Sequence, residues 1–328
     1  MWHLADIEQK INWALPSVKY MIHALSITPD IVDIPDAFVL CSKTPQRIVL
    51  EDISHSYPTT EKVCDEDGDE DGDEKTKYEE DEEETSHTLK HISFSIESGE
   101  KVALIGPSGA GKTTLMRLLL RFMDPLQGSI SVGGVDLRNI AKNSWMKSIG
   151  YIAQHPEVLD GTVRENLTYR LSPEDREKMT DDELWALMGS LEIDFGKRLD
   201  KGLETKVGKH GLKLSGGQAQ RLLIGAAVIG NPWFMVIDEA TSSLDSTTER
   251  KVQRGLEKIL SEKTSALIIA HRLSTVRALC TKFVVLKSAD EVSNGDSQVE
   301  AIGSSFEELY KTSSTFRQLA DDQGIHIV

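Results

Sequence analysis

Cysteine is scarce in this 328-residue chain: Cys41, Cys64 and Cys280 are all there is. The number is odd and the spacings match no metal-binding pattern. Neither a disulfide framework nor a cysteine-held metal is expected, and a reducing compartment is the default. Long apolar runs are missing too. The nearest, LLIGAAVIGNPWFMVI at 222–237, is broken by Asn231-Pro232. It reads as a helix followed by a buried strand, because a membrane span needs about eighteen apolar residues in a row. The opening MWHLADIEQK carries acids and no apolar stretch, so no signal peptide is expected. The sequon Asn166-Leu167-Thr168 is taken as chance in that setting. Basic charge is short as well, with 37 Lys and Arg against 53 Asp and Glu and a formal net charge of −16. No extended basic face for nucleic acid is in view.

The acidity is local. Residues 65–84 hold fourteen acids and two lysines, which leaves about −4 on the rest of the chain. A run this charged buries nothing, so the insert over 62–86 is expected to be a disordered loop joining two strands. Asp67 to Gly72 resembles the start of a calcium loop. The closing position is Tyr78 and flanking helices are absent, which favours a plain solvated loop.

The 39% hydrophobic content suffices for a core. Residues 1–45 combine an amphipathic stretch, to about Ile27, with the proline-bearing TPDIVDIPDA, an extended linker. A β-rich block covers 47–58 and resumes over 87–106. KTTLMRLLLRF then places Leu115, Leu118, Leu119 and Phe122 on one helical face. Short strands are expected near 129–137 and 149–154, and a polar helical subdomain over about 160–229. Strand 233–238, helix 247–260 and strand 265–270 follow, with Ser246 and Glu249 forming a capping-box signature. Alternating strands and helices predict an α/β fold: a P-loop NTPase core on a mostly parallel sheet, an antiparallel β flank and the helical subdomain.

The stretch GPSGAGKTT, residues Gly106, Pro107, Ser108, Gly109, Ala110, Gly111, Lys112, Thr113 and Thr114, fits the P-loop pattern. It follows the apolar strand KVALI and opens a helix. Gly106, Gly109 and Gly111 let backbone N–H groups wrap phosphates at a helix N-terminus. Lys112 places a point charge on the β- and γ-phosphates, and the Thr113 hydroxyl is offered to Mg²⁺. Further on, WFMVIDEATSSLD makes a buried strand that releases Asp238 and Glu239 at the sheet's carboxyl edge, where open α/β sheets bind ligands. Asp238 is the expected Mg²⁺ holder. Glu239 is placed to orient or deprotonate an attacking water, which favours hydrolysis over kinase chemistry. Between these motifs lies LSGGQ at 214–218, with Ser215, Gly216, Gly217 and Gln218. Alone, Ser215 reads as an ordinary helix N-cap and the glycines as a turn.

P-loop, LSGGQ and Asp-Glu strand together resemble the nucleotide-binding domain of an ABC transporter, over about Gln46 to Gln323, with 324–328 a short tail. In that family two such domains pair head to tail around two ATP molecules. The resemblance therefore implies that Ser215-Gly216-Gly217 covers the γ-phosphate held by a partner's P-loop. It also implies roles for Tyr57 (stacking on adenine), Gln154 (touching Mg²⁺ and sensing the membrane partner), Asp245 (crossing the dimer interface) and His271 (contacting the γ-phosphate). Catalysis would fall to Lys112, Gln154, Glu239 and His271, and Mg²⁺ to Thr113, Gln154 and Asp238.

TVRENLTY, TKVGKHGLKLSGGQ and AHRLSTVR look like exporter-type domains. Residues 5–36 resemble the segment joining an exporter's last membrane helix to its ATPase. The implied partners are a second ABC ATPase domain and an exporter's transmembrane domain, at the cytoplasmic face of a membrane. Two departures fall on the signature helix: Ala219, where Arg or Lys is common, and Ala226, where an arginine is expected. Two rival classes stay open, a soluble ABC ATPase acting on nucleic acid or ribosomes and a non-hydrolysing regulatory module.

Overall fold

A computed structural model describes residues 15, 17–22, 25–26, 28–41, 44–57, 88–155, 157–193, 195–238, 246–260, 263–269, 272–293 and 295–325. The acidic insert with its calcium-like stretch, Cys64, Glu239, Asp245 and His271 lie outside them. The chain divides into two compact units, Met1–Val32 and Asp33–Val328. In the first, the described positions 15, 17–22 and 25–26 are helical and exposed.

The second unit is built on two sheets. Strands β1 (Ile48–His55), β2 (Leu89–Ile96), β4 (Gln127–Val132) and β5 (Val135–Asp136) form an antiparallel flank in the order β2-β1-β4-β5. The central sheet runs β12-β11-β3-β10-β9-β6, from β3 (Lys101–Ile105), β6 (Ile149–Ile152), β9 (Phe234–Asp238), β10 (Ser265–Ile269), β11 (Lys282–Leu286) and β12 (Val299–Gly303). Its pairs are parallel except β11 with β12. The expected mixed α/β architecture is present. KVALI, FMVID and SALII are near-continuous apolar runs because both faces of a parallel sheet are covered. Val102, Leu104, Phe234 and Val236 enter one core, while Ala103, Ile105, Met235 and Ile237 enter the other. Strand alternation thus splits each run between two layers.

Helix α1 (Lys112–Leu119) buries Leu115, Leu118 and Leu119 against the flank-side core. Phe122, expected on the same stripe, is instead 50% exposed. The helix stops at Leu119, and Arg121 adopts the left-handed φ of 53°, so the 3.6-residue period ends before Phe122. Trp145, on α2 (Lys142–Ser148), fixes that end by donating its Nε1–H to the Leu119 carbonyl at 2.9 Å.

Short strands β7 (Gly161–Thr162) and β8 (Lys206–Val207) pair beside α3 (Val163–Thr168), α4 (Pro173–Lys178), α5 (Asp181–Ser190) and α6 (Gly216–Val228). Thr162 and Thr180 cap α3 and α5 with reciprocal Glu165 and Glu183 boxes. Asn166 is fully buried and bonds the Leu159 N–H, Leu159 O and Thr162 O, so its amide serves packing within the fold. Helix α7 (Ser246–Ile259) begins at Ser246, and the Glu249 carboxylate accepts from Arg272. That bond ties α7 to the chain just ahead of α8 (Leu273–Leu279). The unit ends in α9 (Phe306–Thr312) and α10 (Ser314–Asp322).

Candidate functional site

Sheet register levels the ends of four strands. Leu104 pairs with Ile269, Ile269 with Asp238, and Ile237 with Ile152. The P-loop leaves β3, Asp238 closes β9 and Gln154 follows β6, all at the carboxyl edge. With strands about 4.8 Å apart, Asp238 lies two strands, roughly 10 Å, from the start of the loop. Asp238 is 7% exposed, and its charge is felt on the neighbouring strand. Burial first, then the Asp238 carboxylate, push the Tyr151 phenol above its ordinary range. Gln154 is half-buried two residues beyond β6.

The loop has the geometry of an anion cradle. Gly111 caps α1 with φ 73°, and a Cβ there would lie 2.4 Å from Leu89 Cδ2 and 2.7 Å from the Thr88 carbonyl. Only glycine fits. Lys112 is buried, and its Nζ donates to the Gly106 and Pro107 carbonyls at 2.8 and 2.7 Å. The ammonium is thereby folded back along the loop it serves. Ser108, Gly109 and Thr113 are exposed, whereas Ala110 and Thr114 are buried. Adjacent residues of the first helical turn therefore divide the work. Thr113 is solvent-exposed, and Thr114 Oγ1 lies 3.3 Å from the Tyr57 hydroxyl.

Tyr57 is held on the P-loop helix by that contact and by Arg117, whose Nη1 donates to Tyr57 Oη at 3.3 Å. His55 packs edge-on, 5.4 Å between ring centroids, and burial lowers its pKa. The Tyr57 ring stays 41% exposed, so an aromatic face stands open beside the loop.

LSGGQ lies at the N-terminus of α6. Ser215 is the N-cap of α6 in a full capping box with Gln218: its N–H donates to Gln218 Oε1 at 3.1 Å, and its Oγ accepts from the Gln218 N–H at 3.4 Å. Arg198 Nη2 also donates to Gln218 Oε1, at 2.5 Å. The N-cap reading of the serine is thus right as local structure. It does not account for the glycine. Among the described residues a Cβ on Gly216 would meet nothing within 4 Å, and Ser215 and Gly216 both face solvent. Gly217 is buried. Of the two departures, Ala219 is 8% exposed and Ala226 fully buried. The guanidinium nearby comes from Arg170, which donates to the Ala227 carbonyl at 2.9 Å.

The structure thus sets the P-loop, Gln154 and Asp238 along one sheet edge with Tyr57 against the P-loop helix, and leaves Ser215–Gln218 at the solvent-facing start of α6. Two residues near the loop carry no motif: Arg117, behind Tyr57, and the buried Gln298, whose Nε2 donates to the Ala110 carbonyl at 3.2 Å. Gln298 is 188 positions from its partner, so no local pattern pointed to it.

The family model described as ABC transporter matches residues 89–242. Residues 89–242 are an ABC transporter domain. An ATP-dependent lipid A-core flippase of Desulfotalea psychrophila is 32% identical over 321 residues, 98% of this chain and 49% of the flippase. A multidrug resistance ABC transporter ATP-binding and permease protein of Lactococcus lactis is 40% identical over 195 residues, 59% of this chain and 32% of that protein. The solved structure of a bacterial Atm1-family ABC exporter with ATP bound superposes with a TM-score of 0.76 at 27% identity, covering 99% of this chain and 50% of that one. The ABC chain thus spans about half the length of the flippase, and among its described residues no helix is long and apolar enough to cross a membrane.

Proposed function

We propose that this chain binds ATP with Mg²⁺ and hydrolyses it in a head-to-tail pair with a second ABC ATPase domain, driving the membrane domain of an exporter from its cytoplasmic face. One observation carries the pairing: the Ser215-Gly216 turn faces solvent, and nothing among the described residues occupies the space a Gly216 side chain would fill. A glycine that its own fold does not require is explained by something approaching from outside. A helix N-terminus with bare amides and a hydroxyl suits the outer side of a γ-phosphate bound to a partner's P-loop.

The oxygen donors at the sheet edge suit Mg²⁺, a hard cation. Thr113, Gln154 and Asp238 would hold it, and the ion would neutralise charge on the β- and γ-phosphates. Lys112 leaves the Gly106 and Pro107 carbonyls to reach those phosphates, and the Tyr57 ring stacks on adenine. Glu239 takes a proton from the attacking water, His271 steadies the γ-phosphate, and Asp245 meets the partner domain.

Glu239→Gln keeps nucleotide binding and removes the base, so this variant will form a dimer with MgATP by light scattering. A monomer at saturating MgATP overturns the proposal.

A further inference from the structure

We infer that Gln298 orients the Ala110–Gly111 peptide of the P-loop and so aims the Gly111 N–H at the nucleotide's phosphates, a role that rests on the ATP-binding reading above. Gln298 is fully buried in the connection between β11 and β12. Its Oε1 accepts the Lys90 N–H at 3.0 Å. Its Nε2 donates to the Lys287 carbonyl at 2.9 Å and the Ala110 carbonyl at 3.2 Å. A backbone N–H can only donate and a carbonyl can only accept, so these partners leave one orientation for the amide. The main chain is pinned as well. Gln298 N donates to the Lys90 carbonyl, and Lys287 N donates to the Gln298 carbonyl, each at 3.0 Å.

The consequence follows from peptide planarity. In a trans peptide the C=O and the following N–H point in opposite directions. Fixing the Ala110 carbonyl toward the buried Gln298 sends the Gly111 N–H away from the interior, ahead of the first turn of α1. The last residue of β11 backs the loop at its other end, because a Cβ on Gly106 would lie 2.8 Å from the Leu286 carbonyl. The P-loop is thus backed at its start by the end of β11 and held near its end by Gln298 of the β11–β12 connection. Gln298 acts through the loop, as a positioning residue.

The test compares the unaltered chain with Gln298→Met, which keeps the volume and removes the hydrogen bonds. Calorimetry gives MgADP affinity, and amide NMR follows the downfield displacement of the Gly111 proton on MgADP binding. Gln298→Met is expected to bind MgADP about tenfold more weakly, the scale of one hydrogen bond to a charged group, with a smaller Gly111 displacement. Equal affinity and equal displacement overturn the inference alone, whatever happens to thermal stability. Absence of MgADP binding by the unaltered chain overturns the ATP reading and this one together. Should Gln298→Met not fold, the hydrogen-bond coupling between Gln298 Nε2 and the Ala110 carbonyl carbon decides in the unaltered chain. Its survival at saturating MgADP supports the role, and its loss overturns it.

Discussion

Asp33 Oδ1 and Arg121 Nη1 lie 3.3 Å apart, joining the segment ahead of β1 to the residue that terminates the P-loop helix. Arg121 is 1% exposed and also donates to the Ile140 and Arg138 carbonyls. The Asp33 carboxylate accepts the Lys142 N–H as well, at 2.9 and 3.1 Å, and so caps α2 from 109 residues away. A β-bridge between Phe38 and Ile140 continues the contact. Asp33→Ala removes a cap and the nearer of two carboxylates paired with a buried guanidinium, leaving Asp124 Oδ1 at 3.9 Å from Arg121 Nε. It is expected to destabilise the chain by about 2 kcal/mol, read from urea unfolding.

Tyr57 offers a ring, and its hydroxyl is engaged by Thr114 and Arg117. Replacing the ring and replacing the hydroxyl should therefore separate. Tyr57→Ala is expected to weaken ATP binding about tenfold, the order of one aromatic–base stack. Tyr57→Phe should stay within about threefold, because the two hydrogen bonds lost are both long, 3.3 Å, and lie at a half-open site. Fluorescent nucleotide titration of both variants checks the split.

Glu300, on β12, receives Ser313 Oγ, Ser314 Oγ, Ser314 N and Thr315 N at 2.8 to 3.3 Å, and thereby caps α10. Burial alone would raise its pKa. The hydrogen bonds from Thr315, Ser314 and Ser313 outweigh that and hold it at about 2. A carboxyl depressed in the folded state stabilises above its unfolded pKa, and that stability is lost as pH falls toward the folded value. Melting temperature should therefore fall between about pH 4.5 and pH 2. Glu300→Gln should flatten that slope while lowering stability at pH 7.

Arg170 sits at two helix ends. Its guanidinium donates to the Met146 carbonyl at 3.2 Å and to Ile149 O at the close of α2, and to Ala227 O in the last turn of α6. Burial lowers its pKa, an indication of how much water these contacts replace. Arg170→Met leaves those carbonyls short of a donor and is expected to cost about 2 kcal/mol. Arg170→Lys should recover only part, because an ammonium lacks the fork that spans separated acceptors. Thermal unfolding of both variants measures the difference.

Much of the α/β core was legible in the sequence because its signals are local. KVALI, FMVID and SALII announce buried parallel strands, and glycines around a lysine announce a phosphate loop. The Leu115–Leu119 stripe was legible for the same reason, and Phe122 was misjudged where a left-handed residue cut the helix short. The Glu249 carboxylate accepts from Arg272, a partner 23 positions away that the local pattern did not indicate.

By itself, then, the sequence determined the elements and the chemistry they carry, since periodicity and turn residues act over a few positions. Only the tertiary structure decided which strands lie level, that Tyr57 leans on Thr114 and Arg117, and that Gln298 supports the loop. Those pairings depend on sheet order and register, which bring together residues 57 to 188 positions apart and leave no mark at either one.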